Sequence, residues 1–485
     1  MAREIIGREV EKRILEKVLE SQEAELVAVL GRRRIGKTFL VSNFFEKEML
    51  FTFEGTHNNH LNDQLQNFAL AMGKAMKVPA PLAVPLNWAL AFNLLSGFLE
   101  SKLTEGKPIV IFFDEFPWIQ TPKSGFLAAF THWWNSWASK MPYLKVILSG
   151  SAAAWMTRNV IYNKGGLHNR VTRQVWLDQF VLSETAAFLS SRGVTLNHLQ
   201  IVQLYMVIGG VPHYLKKVEP GESPSQFIDR LFFEKNAELR REFNVLYKSL
   251  FDNADRHELL VRILASKPKG LSRTELIKEA GLVTGGTTSR LFDELEASGF
   301  VSYHLPYGKT TSKGLYKLTD AYSLFYLKFV HRSRAFGTDT WPKIENSPSY
   351  LSWSGLAFES VCYKHIPQIK KALSIAGMQV EVDSWRSVAR AGSKDQDKKG
   401  AQIDLLLDRA DKCINVCEIK YCADEYVINK AYAAELDRKI KLFKEETKTR
   451  KTIFLTMITT LGTKKNIHYT GRVLKEVTLE ELFSS

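Results

Sequence analysis

The sequence predicts an α/β protein whose first half is a mostly parallel sheet with helices on both faces. Short apolar runs alternate there with segments of helical pattern, and the runs are almost continuously apolar, as strands covered on both faces should be. With 485 residues the chain is too long for one core, so about two to four domains are expected. The four predicted strands are LVAVL (26–30), MLFTFEG (49–55), PIVIFFDE (108–115) and LKVILSG (144–150).

The composition favours an acidic polymer as partner. The net charge is +14, which points to nucleic acid before a membrane surface, although a basic enzyme would show the same balance. No apolar run approaches the roughly 20 residues that span a bilayer, and the N-terminus has no apolar signal segment. The four cysteines form no CxxC pair and are expected to be reduced thiols. A cytoplasmic location without a membrane partner is therefore predicted.

The stretch GRRRIGKT follows the first predicted strand and precedes a helical segment. Its pattern is Gly-x4-Gly-Lys-Thr, in which backbone N–H groups surround phosphates, the lysine neutralises their charge and the threonine hydroxyl binds Mg²⁺. The alternative is a basic turn that contains two glycines by chance. The strand–loop–helix context favours a nucleotide-binding loop made of Gly31, Arg32, Arg33, Arg34, Ile35, Gly36, Lys37 and Thr38.

Acidic and polar residues follow two other predicted strands. Asp114 and Glu115 end IVIFFDE, where one carboxylate can hold Mg²⁺ and the adjacent one can polarise an attacking water. Ser149 ends LKVILSG, a strand expected beside the phosphate-loop strand. It is a candidate contact to the γ-phosphate or the water, or simply a serine at a strand end. ATP and Mg²⁺, bound by Thr38 and Asp114, are the cofactors predicted for this half.

Residues 1–250 resemble the archaeal-type ATPase family of the AAA+/STAND group. The resemblance implies that Arg8 lies near the adenine and that Pro212 covers the nucleotide from a helical lid. It makes Arg170 a candidate arginine sensor or finger, with a surface arginine as the alternative. AAA+ relatives often assemble, whereas a STAND-like switch can be monomeric until it is triggered, so a homo-oligomer and a monomer are both open. The matching motifs are IIGREVEKRILEKVL (5–19), GRRRIGKT, FFDEFPW (112–118), LSGSAAAWM (148–156), NRV (169–171) and GGVPHYL (209–215).

Four domains are predicted. A P-loop ATPase core (1–180) and a helical lid (181–250) precede a winged helix-turn-helix (251–340), since three short helical patterns are followed there by a candidate hairpin. Its recognition helix would be TTSRLFDELEASG (287–299), with Lys309 and Lys313 at the wing tip. Acidic residues on that helix keep protein docking open beside DNA contact. The fourth domain spans 345–485.

The fourth domain carries a second group of charged residues. Asp404 interrupts one apolar strand, and Glu418 and Lys420 share one face of the next. Two carboxylates and a lysine beside a phosphodiester form a metal-dependent nuclease site, in which Asp404 and Glu418 hold the metal and Lys420 orients the water. Glu359, on the preceding helix, would complete the set. The alternative is a surface ion pair.

This domain resembles the PD-(D/E)XK nuclease superfamily, a restriction-endonuclease-like α/β fold. The resemblance rests on GLAFESVCY, QIDLLLD, CEIKY and YVINKAYAAELDRKIKLF, in the order αβββαβ, and all four of its site positions are filled in this chain. The metal expected on Asp404 and Glu418 is Mg²⁺, with Mn²⁺ as the alternative. The sequence thus predicts an ATP-controlled, DNA-binding protein with metal-dependent endonuclease capacity. The alternative is a nucleotide-dependent switch whose C-terminal domain binds nucleic acid or protein without cleaving.

Overall fold

A computed structural model describes residues 4–104, 106–162, 165–309, 313–334, 336–387 and 400–484. The contacts divide the chain into two compact units, one of Met1–Gln179 with Phe292–Gly299 and one of Phe180–Leu291 with Phe300–Ser485. Most of the predicted basic loop 386–400 lies outside the described residues. Within them, no helix is both long and apolar enough to cross a membrane.

The first unit is built on a five-stranded sheet, all of it parallel. Its strands are β1 (Glu25–Leu30), β2 (Met49–Glu54), β3 (Ile109–Asp114), β4 (Leu144–Gly150) and β5 (Arg173–Trp176), in the order β2-β3-β4-β1-β5. The predicted parallel α/β sheet is confirmed, and β4 does lie beside β1, with Val29 opposite Ser149. The sequence missed β5, because only one of its four residues is buried.

Helices cover both faces of this sheet. Because β1, β3 and β4 are buried along their whole length, each face needs apolar partners, and two separate apolar clusters supply them. The helices are α1 (Glu9–Glu20), α2 (Lys37–Phe44), α3 (Leu61–Met76), α4 (Trp88–Glu100), α5 (Phe116–Ile119), α6 (Phe126–Ser136) and α7 (Ala153–Met156).

The second unit opens with helices. α8 (Leu182–Ser191) begins at a residue whose N–H, without a partner in its own helix, donates to Nε2 of His365 at 2.9 Å. The GGVP break predicted from the sequence separates the second and third of these helices. The others are α9 (His198–Ile208), α10 (Pro212–Leu215), α11 (Pro224–Ile228) and α12 (Glu238–Lys248).

After α12 come three helices and a three-stranded sheet. The elements are α13 (Ala254–Ala265), β6 (Leu271–Ser272), α14 (Arg273–Glu279), α15 (Gly286–Ala297), β7 (Val301–His304) and β8 (Leu315–Leu318). The sheet has the order β6-β8-β7, with antiparallel pairs. Three helices and a hairpin are thus present in the predicted order, and their identity as a winged helix-turn-helix stays a prediction.

The C-terminal part carries a second five-stranded sheet. Its order is β13-β12-β11-β10-β9, antiparallel from β9 to β11 and parallel from β11 to β13. The amphipathic pattern WSGLAFESVCYKHIPQIKKAL (353–373) predicts one helix, and the structure has two there. The elements are α16 (Ala321–Phe325), α17 (Trp341–Ile344), α18 (Pro348–Lys364), α19 (Ile366–Ala372), β9 (Val380–Ser387), β10 (Ala401–Arg409), β11 (Cys413–Lys420), α20 (Lys430–Thr447), β12 (Thr452–Thr459), β13 (Lys475–Val477) and α21 (Leu479–Leu482).

His365 lies at the break between α18 and α19, and its side chain forms a hydrogen bond with the first residue of α8. It is fully buried, and its Nδ1 donates to the Val361 carbonyl at 2.7 Å while Nε2 accepts from Leu182. The pKa of His365 is lowered to about 4, chiefly by burial and in smaller part by nearby Lys364, while the hydrogen bond to Val361 opposes the shift. Since the unfolded chain takes up this proton at higher pH, stability should fall as the pH drops from about 6.5 to 4, by about 3 kcal/mol.

We therefore predict that His365→Gln, which keeps a hydrogen-bond donor and an acceptor, reduces the loss of folding stability as the pH is lowered. Urea unfolding between pH 7 and pH 4 measures it. His468→Gln, at a half-exposed histidine of the same unit, is the matched control and should keep the slope of the parent protein. Equal slopes in the parent and His365→Gln would contradict the assignment.

Candidate functional site

The loop GRRRIGKT lies at the carboxyl end of β1 and leads into α2. Three of its residues have left-handed backbones: Gly31 (φ 143°), Arg34 (φ 76°) and Gly36 (φ 92°). At Gly31 an added Cβ would lie 2.3 Å from the carbonyl oxygen of Leu177, so no other residue fits there. A loop of this kind ahead of a helix N-terminus turns backbone N–H groups toward an anion.

Lys37, the first residue of α2, folds its side chain back over the loop. Nζ donates to the carbonyls of Gly31 (2.9 Å) and Arg32 (3.1 Å) and to the Ser151 hydroxyl (2.9 Å). Burial lowers the pKa of Lys37 to about 8, while the carboxylates of Glu115 and Asp114 oppose that shift. The three partners are neutral, so a phosphate oxygen would be a stronger acceptor for this ammonium group.

The carboxyl ends of β3 and β4 meet the loop. The Thr38 hydroxyl donates to Oδ2 of Asp114 at 2.6 Å, and the Ser149 hydroxyl donates to Oδ1 of the same carboxylate. Asp114 is 3% exposed, so these hydroxyls replace the water that would otherwise solvate its charge. A hydroxyl and a carboxylate in contact are the oxygen donors that Mg²⁺ takes in phosphate-binding sites, so Thr38 and Asp114 fit the predicted metal.

Glu115 is held by a residue that the sequence analysis missed. The Ser151 N–H donates to Oε2 of Glu115 at 2.9 Å, and the Ser151 hydroxyl donates to Oε1. Because Ser151 also accepts from Lys37, it links the loop lysine to the candidate water-polarising carboxylate. Glu115 has a left-handed backbone (φ 45°). The only available signal was a second serine two positions after Ser149.

Arg8 braces the loop from the N-terminal side. It is 5% exposed, and its Nη2 donates to the carbonyl of Ile35 at 3.3 Å and to that of Asp178 at 2.7 Å. The guanidinium of Arg33 lies 5.6 Å from the centre of the Trp118 ring, within cation–π range. Arg8, which the family resemblance assigned to the nucleotide site, and Arg33, which the loop pattern assigned to it, thus both lie around the loop.

Two further predicted residues lie elsewhere in the chain. Arg170 is exposed and precedes β5, whose start is bonded to the start of β1: the Thr172 N–H donates to the Leu26 carbonyl at 2.8 Å. Since the loop follows the carboxyl end of β1, Arg170 lies at the opposite end of the parallel strands. Pro212 is the first residue of α10 and belongs to the second unit.

In the C-terminal sheet, Asp404 and Glu418 are brought together by strand register. Leu405 of β10 pairs with Cys417 of β11, so Asp404 and Glu418, one position further along, lie opposite each other on the same face. α18 packs on β11 and brings Glu359 to this face. The four residues predicted from the sequence, Glu359, Asp404, Glu418 and Lys420, therefore lie together. With Lys317 and Lys439, described below, they form what we call the carboxylate cluster.

Glu418 is fully buried and its carboxylate is already occupied. Nζ of Lys439 lies 2.8 Å from Oε1 and 3.0 Å from Oε2, and the Tyr432 hydroxyl donates to Oε2 at 2.8 Å. Lys420 is more distant, with Nζ 3.8 Å from Oε2. The sequence analysis missed Lys439 and Tyr432, because both lie on α20 and nothing in their spacing shows which strand they face.

Lys317 of β8 is the third missed residue of this cluster. Burial lowers the pKa of Lys317, and the charges of Glu359 and Asp404 oppose that shift, which marks them as its electrostatic partners. Burial in turn raises the pKa of Glu359, with a further rise from the neighbouring Asp404. Burial also raises the pKa of Asp404, with a further rise from Glu418. The cluster thus holds three carboxyl groups and the three lysines at 317, 420 and 439.

The donor set only partly fits a divalent metal. Carboxylates are the right ligand type, and two of them repel each other across the strand pair. However, both oxygens of Glu418 already accept hydrogen bonds. Among the residues that the structure describes, no three Asp, Glu, His or Cys side chains are arranged to hold a metal ion. As arranged here, lysines rather than a metal compensate the carboxylates.

The first site lies in the part of the chain that matches a known protein family. Residues 5–218 match the family model described as an ATPase domain predominantly from Archaea, so the chain carries an archaeal-type ATPase domain. An uncharacterized protein of Methanocaldococcus jannaschii is 23% identical over 421 residues, which cover 86% of this chain and 87% of that protein.

Solved structures give a likeness of fold. A Walker-type ATPase of Pyrococcus abyssi superposes with a TM-score of 0.50 at 19% identity, covering 67% of this chain and 96% of that one. The ORC2 protein of Aeropyrum pernix gives a TM-score of 0.41 at 14% identity, covering 67% of this chain and 94% of that one. The first of these supports the P-loop type of α/β sheet in this chain.

The backbone of the loop yields a direct prediction. Gly31→Ala should destabilise the first unit by about 2 kcal/mol or more, because the new methyl group meets the Leu177 carbonyl and φ is unfavourable for alanine. Thermal unfolding measures the effect. Gly97→Ala is the control: Gly97 lies in α4 with no atom within 4 Å of an added Cβ, and alanine should stabilise that helix by up to about 1 kcal/mol. Parent-like unfolding of Gly31→Ala would contradict the close packing at this loop.

Proposed function

We propose that the chain binds and hydrolyses ATP at the GRRRIGKT loop. The observation that carries this proposal is the contact between Thr38 and Asp114, which unites the loop and the end of β3 at the position where a nucleotide's metal would sit. Left-handed glycines free the backbone N–H groups for phosphates, and Lys37 supplies a buried positive charge. The match of residues 5–218 to an ATPase-domain family supports the same function.

Each residue of this site has a separate role in the proposed reaction. Lys37 would exchange its three neutral partners for β- and γ-phosphate oxygens, and Thr38 and Asp114 would hold Mg²⁺, which supplies charge to those phosphates when bound. Glu115 would orient and polarise the water that attacks the γ-phosphate, and Ser151 would fix its carboxylate. Ser149, bonded to Asp114, would position that carboxylate rather than touch the nucleotide.

We further propose that the carboxylate cluster acts on nucleic acid. The cluster has the residue types of a phosphodiester-cleaving site on adjacent strands, and the chain carries a net charge of +14. Cleavage with Mg²⁺ or Mn²⁺, under the control of ATP, is the leading form of this proposal. In the second form the cluster binds nucleic acid without cleaving, and the ion pair between Lys439 and Glu418 favours it.

The ATPase proposal is tested by two substitutions with different expected results. Lys37→Ala should lose both tight ATP binding and hydrolysis, because it removes the buried ammonium group that would contact the phosphates. Glu115→Gln should keep ATP binding and lose at least about 100-fold in turnover, because it no longer polarises the water. Phosphate release and binding of a fluorescent ATP analogue measure the two properties.

Two exposed residues provide the matched controls. Lys47→Ala and Glu46→Gln remove the same groups from the surface of the same unit and should leave both properties unchanged. Thermal unfolding establishes that each variant is folded. ATP turnover in folded Lys37→Ala at the parent rate would exclude this loop as the hydrolytic site.

The nuclease proposal is tested on DNA and RNA, single- and double-stranded, with Mg²⁺ or Mn²⁺ and with or without ATP. We expect cleavage by the parent chain and at least about 100-fold less by Glu418→Gln and Asp404→Asn, which keep the side-chain shape and remove the charge. Asp424→Asn, at an exposed position four residues after Lys420, is the control and should cleave normally. No cleavage under any condition, with ATP turnover intact, would leave the binding-only form.

A further inference from the structure

A cleft of about 580 Å³ lies in the second unit beside the carboxylate cluster. Its walls come from the end of α13, from β7 and β8, from the segment around residues 324–332 and from α18. The volume is within the range that protein cavities offer to small organic ligands and to short stretches of a polymer. Nothing in the sequence marked it, because its walls are far apart along the chain.

The rim of the cleft is cationic. Four basic side chains line it, those of Arg262, Lys317, Lys328 and Arg332, together with the carboxyl group of Glu359. Lys317 already faces the carboxyl groups of the cluster, so the excess of positive charge is on the other three. Lys328 and Arg332 are exposed, on consecutive turns of the same segment. Arg262 is fixed by contacts of its guanidinium with Glu258 at 3.4 Å and His331 at 3.1 Å. This excess of positive charge suits an anion with more than one charged group.

The floor of the cleft is apolar. Leu264, Leu327, Trp353 and Leu356 line it. The first three are buried, and the Trp353 ring packs against other aromatic rings, so Leu356, which is 38% exposed, is the apolar side chain that a ligand would contact. A purely ionic ligand would leave this surface in contact with water. An apolar floor beneath a cationic rim suits a ligand with flat apolar faces and a charged backbone.

The cleft and the carboxylate cluster share residues. Lys317 and Glu359 line the cleft and belong to the cluster, and Tyr363 joins them, since its hydroxyl donates to the Asp404 carbonyl at 2.8 Å. Lys317 also lies 5.9 Å from the centre of the Tyr363 ring, within cation–π range. A polymer lying in the cleft would therefore continue directly onto the carboxylates.

We propose that this cleft binds a single strand of nucleic acid, with phosphates on Lys328 and Arg332 and a base over Leu356, and leads it to the carboxylate cluster. The inference rests on the proposed action of the cluster on nucleic acid, and it names the form of the substrate and its route. A duplex hides the faces of its bases, so only an unpaired strand can use the apolar floor. A free mononucleotide would use the floor but not the spread of charges along the rim.

Binding of fluorescein-labelled single strands of about 16 nucleotides, DNA or RNA, is measured by anisotropy with the full chain in EDTA, where no metal-dependent cleavage occurs. The double variant Lys328→Glu/Arg332→Glu should bind at least about 10-fold more weakly. The slope of log K against the logarithm of the salt concentration should become shallower by about 1.4, at about 0.7 per lost phosphate contact. Leu356→Gln should weaken binding about 3-fold or more without changing the salt slope, because it alters only the apolar floor.

Lys475→Glu is the matched control, an exposed lysine on the strand at the other edge of the C-terminal sheet. It should bind like the parent. Parent-like binding by Lys328→Glu/Arg332→Glu, or an equal loss in Lys475→Glu, would overturn the proposal. Duplex bound as tightly as single strand would overturn it too, as would AMP competing as tightly as the oligonucleotide in Lys37→Ala protein.

The failure of this inference is distinguishable from that of the proposed cleavage. Single strands bound through the cleft by a chain that cuts nothing would keep the cleft and remove the nuclease. Cleavage that is lost in Glu418→Gln but unchanged in Lys328→Glu/Arg332→Glu would keep the nuclease and overturn the cleft. A preference between the DNA and RNA strands would show whether the 2′-hydroxyl is recognised.

Discussion

A charge can be buried in a protein only when other groups replace the water that solvated it, and both candidate sites are built on this constraint. Lys37, Asp114 and Glu418 are 5%, 3% and 0% exposed. Strand register brings the charged residues of each site together: the ends of parallel strands meet at the loop of the first site, and opposed positions of an antiparallel pair meet at the second. Helix packing supplies the partners of Glu418, which are Lys439 and Tyr432 of α20. A ligand of either site would exchange with contacts that already hold these charges in place.

The two sites meet the constraint in different ways. At the first, neutral carbonyls and hydroxyls solvate Lys37, so its positive charge stays available to a phosphate. At the second, three lysines compensate three carboxyl groups, so the cluster has little net charge with which to attract a polyanion. The cationic rim beside it supplies what the cluster lacks. The basic cleft and the nearly neutral cluster are therefore complementary parts of one proposed path for nucleic acid.

The sequence was sufficient where the chemistry lies at the ends of apolar strands. The loop 31–38, Asp114, Glu115 and Ser149 could be placed because an uninterrupted buried strand precedes each, and parallel strands bring their ends to one edge. The pairing of Asp404 with Glu418 followed from charged residues that interrupt apolar strands. By contrast, β5 is short, polar and at the edge of its sheet, so it carries no such pattern.

Other residues could not be found, because they reach their sites through packing. Lys439 and Tyr432 project from α20, and Lys317 comes from a hairpin some 40 residues before Glu359 (359 minus 317 is 42). The helix predicted over 353–373 breaks at His365, because Pro367 lacks the N–H that would continue the hydrogen bonding of α18. The break places His365 where its Nε2 accepts a hydrogen bond from the N–H of Leu182, the first residue of α8.

The register of β1 with β5 also decides between the roles open to Arg170. From Leu26, beside the start of β5, to Gly31 is five residues, which span about 16 Å in a strand. An extended arginine side chain covers less than half of that distance, so Arg170 cannot touch phosphates held by the loop of its own chain along this path. A finger role therefore requires the loop of a second copy, and so goes together with a homo-oligomer. A surface role requires none. The oligomeric state and the function of this residue are one question, because the sheet itself holds the arginine away from its own loop.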